Sequence, residues 1–104
     1  MPDVHIGRLD ALPHGRPVLR EILGRRVALV RVADTVHALD DACPHAGGPL
    51  SEGAVLGDAL VCPYHTWMWD LTTGACVAGG RATSVTVYPT RVVGGEVWVE
   101  LGVI

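Results

Sequence analysis

Two short cysteine–histidine pairs constrain this chain more than any other feature: Cys43-Pro44-His45 and Cys62-Pro63-Tyr64-His65, separated by positions 46 to 61. A proline follows each cysteine, fixing φ and removing an N–H, so each pair reads as a loop tip that holds a thiolate and an imidazole toward a common point. The fold must bring two such tips together. Glycines and prolines (Gly47, Gly48, Pro49, Gly53, Gly57, Pro63, Gly74, Gly79 and Gly80) punctuate the surrounding segment and leave room only for short strands near Leu60 to Cys62, Trp67 to Trp69 and Cys76 to Ala78.

Outside that segment, β-like runs dominate. Val4 and Ile6 alternate with polar neighbours, as do Val18 and Ile22, and the run from Val27 to Val32 turns at Asp34-Thr35 into Val36 to Leu39. Val85 and Val87 alternate with Thr86 and Tyr88. Val92-Val93 meet Val97 and Val99 across Gly94-Gly95, a strong two-residue hairpin signal. No helical period persists over ten or more residues. The expected fold is all-β, a β-sandwich or partly open antiparallel barrel forming a single domain over residues 1–104, with a small loop-rich lobe inserted at about 40–80. The lobe is expected to hold too few apolar residues to fold well alone, and a metal site could supply the missing free energy.

The 104 residues carry 49% apolar and 18% charged side chains and a net charge of -3, so no basic surface invites nucleic acid or an anionic membrane. Pro2, Asp3, Arg8, Asp10, Pro13 and Arg16 break any apolar run at the start, and no stretch is long enough to span a bilayer. A cytoplasmic location is expected, where disulfides are disfavoured and cysteines serve as metal ligands or core residues. Two soft thiolates with two imidazoles suit a mixed-ligand iron–sulfur cluster, with cysteines on one iron and histidines on the other. The same set also suits tetrahedral zinc in an interaction module. Zinc fingers group like ligands together, whereas each loop here supplies one of each, which favours iron and sulfur.

The flanks extend the match. Ala38-Leu39-Asp40-Asp41 leads into Cys43-Pro44-His45-Ala46-Gly47-Gly48-Pro49-Leu50-Ser51-Glu52-Gly53, and Val61-Cys62-Pro63-Tyr64-His65 is followed by Trp69-Asp70-Leu71 and Thr73-Gly74. Both boxes resemble those of Rieske-type [2Fe–2S] ferredoxins, in particular the ferredoxin components of multicomponent aromatic-ring dioxygenases, over nearly the whole chain. The resemblance implies one cluster per chain, with Cys43 and Cys62 on the buried iron and His45 and His65 on the outer, partly exposed iron.

Three departures bear on the properties of the cluster. High-potential relatives place serine and tyrosine hydroxyls two and four residues after the second histidine, where this chain has Trp67 and Trp69. They also bridge the two loops with a disulfide, at positions that here are Gly48 and Tyr64. Both differences point to the low end of the Rieske range, about −150 mV. Thr66 stands where glycine is usual, and Gly79-Gly80-Arg81 where a proline-containing loop usually covers the cluster.

The remaining candidates read as structural. Cys76 is expected to be a core or half-buried thiol, and His5, His14 and His37 surface or strand residues. Trp67 and Trp69 wall the site or fill the core, Trp98 packs in the last hairpin, and Asp40-Asp41 reads as a solvated turn. By resemblance, the chain is a one-electron carrier rather than an enzyme. It takes electrons from a flavoprotein NAD(P)H-dependent ferredoxin reductase and passes them to a terminal oxygenase, and it is expected to be monomeric. The alternative is the small subunit of an NAD(P)H-dependent nitrite reductase.

Overall fold

A computed structural model describes residues 3–42, 49–63, 67–78 and 84–101. Among these residues eleven strands run in chain order: β1 Asp3–Arg8, β2 Val18–Ile22, β3 Arg25–Val32, β4 Thr35–Asp40, β5 Ala54–Leu56, β6 Ala59–Val61, β7 Met68–Asp70, β8 Cys76–Ala78, β9 Val87–Tyr88, β10 Thr90–Val93 and β11 Glu96–Glu100. All strand pairings are antiparallel, and the described residues contain no α-helix. The strands form three separate sheets, ordered β1-β11-β10, β2-β3-β4-β9 and β5-β6-β7-β8, which do not close into a barrel. The all-β expectation is met.

The unbroken apolar run in β3 explains the layering. Successive side chains on a strand point to opposite faces. Val27 and Leu29 enter one core, together with Val36 and Ala38 of β4 and Val97 and Val99 of β11. Ala28 and Val30 enter a second core, together with Leu39, Leu60, Trp69 and Leu71. The β2-β3-β4-β9 sheet is therefore apolar on both faces, with the β1-β11-β10 sheet on one side and the inserted lobe on the other. A strand covered on both faces has no solvated side, so its sequence loses the polar alternation seen in β1.

This arrangement changes the reading of the lobe. Its own apolar residues are few, but the second face of β3 and β4 supplies the missing wall. Leu50, Leu60, Cys62, Trp69 and Leu71 are buried against Ala28, Val30 and Leu39.

The turns follow the chemistry of their residues. Gly94-Gly95 joins β10 to β11 with φ of 57° and 80°, the left-handed pair that a two-residue hairpin requires. Leu23-Gly24 joins β2 to β3 in the same way, with the leucine at φ 50°. Strand β5 has no counterpart among the strands expected from sequence. It is only three residues long and pairs with β6 across Gly57-Asp58.

Candidate metal centre

Of the four expected ligands, Cys62 is described, whereas Cys43, His45 and His65 lie outside the described residues, as do Gly48, Tyr64, Thr66 and Gly79-Gly80-Arg81. The structure does describe the bases of the loops that carry them.

The first loop, 43–48, leaves from β4 and returns into a single 3-10 turn at Leu50–Glu52. Its neck is closed by the antiparallel bridge of Ala42 with Pro49 and by a 2.7 Å hydrogen bond from the Leu50 N–H to the Asp41 carbonyl. Asp41 does more than turn the chain. Only 2% exposed, it accepts a 2.8 Å hydrogen bond at Oδ1 from the Ser51 N–H, and Oδ2 lies 3.7 Å from Nη2 of Arg26. Its own N–H donates to the Arg26 carbonyl at 3.0 Å. The expectation of a solvated turn is therefore wrong for Asp41. A buried carboxylate needs donors, and the returning loop supplies one.

The second loop extends the β6-β7 hairpin. Leu60 pairs with Trp69 and Val61 with Met68, and the next rung is a 2.7 Å hydrogen bond from the Cys62 N–H to the Trp67 carbonyl. That bond closes the loop holding 64–66 immediately at Cys62. The cysteine is fully buried.

The third segment, 79–83, leaves from β8 and returns at Ser84, which bridges to Ala75, while the Val85 N–H donates 2.8 Å to the Gly74 carbonyl. Gly74 is required here: at φ 77°, a Cβ would overlap the Val85 carbonyl oxygen and crowd Val87. The Asp70 carboxylate fixes the turn before it, accepting from the Thr72 and Thr73 amides at 2.8 and 2.9 Å. Those two amides, Thr73 first, hold its pKa below the ordinary carboxylate value.

Leu50, Cys62 and Val85, which flank the three loops, belong to one buried cluster, so the loop bases are anchored in a common core. Trp67 lies partly buried beside Trp69, with ring centroids 6.2 Å apart. Trp69 is fully buried, and its indole Nε1 has no hydrogen-bond partner. A buried thiol at the mouth of a tightly closed loop, in an apolar core that still holds an unsatisfied N–H donor, fits a sulfur-rich metal group.

The other residues singled out from sequence sit elsewhere. Cys76 is partly buried against the second core, as expected. His5 pairs with Glu96 and lies 4.9 Å from the Trp98 ring, over which Arg91 also stacks at 5.2 Å. His14 is exposed and His37 half-buried in β4.

Residues 3–89 match the model of the family described as "Rieske [2Fe-2S] domain". An anthranilate 1,2-dioxygenase ferredoxin subunit from Burkholderia cepacia is 34% identical over 97 residues, covering 93% of this chain and 90% of the relative. The ferredoxin of carbazole 1,9a-dioxygenase from Nocardioides aromaticivorans superposes with a TM-score of 0.88 at 32% identity, covering 95% of this chain and 97% of that one. A carbazole 1,9a-dioxygenase complex of reduced oxygenase and oxidized ferredoxin contains a chain similar at 26% identity, TM-score 0.85, covering 93% of this chain and all of that one (100%). A structure described as a putative NADH-dependent nitrite reductase small subunit from Mycobacterium tuberculosis is similar at 31% identity, TM-score 0.86, covering 98% and 97%.

Proposed function

Because the chain belongs to the Rieske [2Fe–2S] domain family, we propose that it is the ferredoxin of an aromatic-ring dioxygenase system, an electron carrier that delivers single electrons to a terminal oxygenase. The observation that carries this reading is the buried Cys62 thiol at the mouth of the loop that its own N–H closes onto Trp67.

The cofactor is one [2Fe–2S] cluster, and the residues that would hold it are Cys43, His45, Cys62 and His65. When bound, the cluster takes up and releases one electron without making or breaking a substrate bond. The burial of Cys62 keeps water from the thiolate, and the bonds at Asp41–Leu50, Ala42–Pro49 and Cys62–Trp67 fix the chain on either side of the two ligand segments. Among the described residues the buried polar or charged side chains come down to Asp41, and no hydroxyl stands at position 67 or 69, which supports a potential in the lower part of the Rieske range.

The electron donor in this reading is a flavoprotein NAD(P)H-dependent reductase, and dependence on that nucleotide pool supports a cytoplasmic site of action. Among the described residues no helix is long and apolar enough to cross a membrane. We read the carrier as a monomer that unfolds as one domain; the single domain is supported by the wall that both cores share in β3 and β4.

A nitrite reductase small subunit is the second reading, favoured by the likeness to the Mycobacterium tuberculosis structure. Anaerobic purification with iron and sulfide analysis tests the cofactor: a coloured protein with a paramagnetic reduced state is expected, and a colourless zinc protein overturns the assignment. Stopped-flow oxidation of the reduced protein then separates the two readings. Rapid transfer to a purified aromatic-ring oxygenase supports the first, and transfer only within a complex with a sirohaem nitrite reductase subunit replaces it with the second.

A further inference from the structure

Among the described residues, the buried side-chain nitrogen or oxygen atoms without a hydrogen-bond partner come down to Nε1 of Trp69. An indole N–H can only donate, and burying one without an acceptor is costly enough that folded proteins rarely do it. Its position in the lobe indicates what it lacks.

Trp69 sits at the centre of β7, opposite Leu60 of β6, and the next rungs pair Val61 with Met68 and join the Cys62 N–H to the Trp67 carbonyl. Alternation along the two strands puts Leu60, Cys62, Trp67 and Trp69 on one face. That is the face turned to the second core, where Leu60, Cys62 and Trp69 are fully buried and Trp67 packs at the edge. Cys62 and Trp69 are diagonal neighbours across the hairpin, a separation that a large aromatic side chain can span.

The rest of the core offers Nε1 almost nothing to donate to. The side chains of Ala28, Val30, Leu39, Leu60 and Leu71 present carbon, and neither cysteine sulfur of this core accepts a hydrogen bond from the indole. Among the described residues, then, no acceptor serves Nε1, and the group that the lobe holds in the cluster reading can supply one. Thiolate and sulfide in an iron–sulfur assembly carry negative charge, which makes them acceptors for a buried donor.

We propose that the Trp69 indole N–H donates a hydrogen bond to a sulfur of the bound cluster and so tunes its potential. This rests on the cluster reading above. The absence of hydroxyls at positions 67 and 69 does not leave the site without a donor, because an indole N–H can also stabilise the more negative, reduced state.

The test uses the intact holoprotein with ¹⁵N-labelled tryptophan, compared with Trp69→Phe, Trp67→Phe and Trp98→Phe. Pulsed electron paramagnetic resonance of the reduced protein should reveal an indole ¹⁵N coupling and an exchangeable proton coupling. Both should vanish in Trp69→Phe and persist in the other two variants. At a fixed ambient potential, Trp69→Phe should lower the reduced-to-oxidised ratio about tenfold, a fall of about 59 mV for a one-electron couple. The coupling in the unmutated protein stands as a readout should Trp69→Phe fold poorly. A normal cluster signal with no indole coupling, or with one that survives in Trp69→Phe, overturns the inference and leaves the cluster assignment standing. An unchanged or raised potential in a well-folded Trp69→Phe protein also overturns it. A protein that assembles no cluster overturns both.

Discussion

The Asp41 carboxylate accepts a 2.8 Å hydrogen bond from the Ser51 amide across the neck of segment 43–48. Asp41→Ala leaves that amide without its acceptor and should cost about 1–3 kcal/mol. Because the neck holds the loop that carries Cys43 and His45, cluster content per chain should fall as well. Asp41→Asn keeps an acceptor oxygen and should lose less of both. Denaturant melts combined with iron analysis check the order wild type, Asn, Ala.

His65→Ala removes one imidazole from the proposed ligand set. The expected outcome is loss of the visible spectrum with little change in the β1-β11-β10 sheet, whose core is separate. A normal cluster spectrum in that variant contradicts the ligand assignment.

The depressed pKa of Asp70 makes the turn before Gly74 acid-sensitive. Its folded-state value lies below the ordinary 3.8, so the unfolded chain binds the proton first as pH falls. The carboxylate therefore contributes stability above that ordinary value, and the contribution disappears as pH drops through the lower native value. Asp70→Asn should flatten this part of the acid-unfolding curve. Asp70→Ala should also cost about 1 kcal/mol at neutral pH. Thermal melts from pH 2 to 7 measure both effects.

Gly74→Ala combines a left-handed φ of 77° with a Cβ that would overlap the Val85 carbonyl oxygen. It should destabilise by more than the roughly 1 kcal/mol of a simple glycine-to-alanine conformational conflict. Leu23, in contrast, is an exposed leucine held at φ 50° in the β2-β3 turn. Leu23→Asn should raise stability by about 0.5–1 kcal/mol, because asparagine tolerates that conformation and precedes glycine well in this turn. Chemical denaturation at neutral pH checks the opposite signs of the two substitutions.

Much of the strand order was legible in sequence because alternation and turn glycines are local signals. The run Val27 to Val32 revealed a buried strand, but not that its two faces serve different cores. The lobe seemed short of apolar residues because half of its core wall, Ala28, Val30 and Leu39, lies earlier in the chain. Strand β5 was missed because Ala54-Val55-Leu56 is too short for alternation to register, although Gly57-Asp58 is a recognisable hairpin turn. Asp40-Asp41 looked solvated because the pattern does not say which carboxylate turns inward, and the partners of Asp41 are ten and fifteen residues away. At the site, spacing singled out Cys62, and the structure places it fully buried in the second core. Trp69 was read only as wall or filler, since a sequence does not reveal that its N–H lacks an acceptor.

A strand that serves two cores also rules out one kind of engineering. Cutting away residues 42–85 and joining the ends would bare Ala28, Val30 and Leu39 along one broad side of the β2-β3-β4-β9 sheet. The truncated remnant would be a greasy plate prone to clumping rather than a tidy miniature. Any transplant of the electron-carrying portion into another scaffold must take β3 and β4 along as its floor.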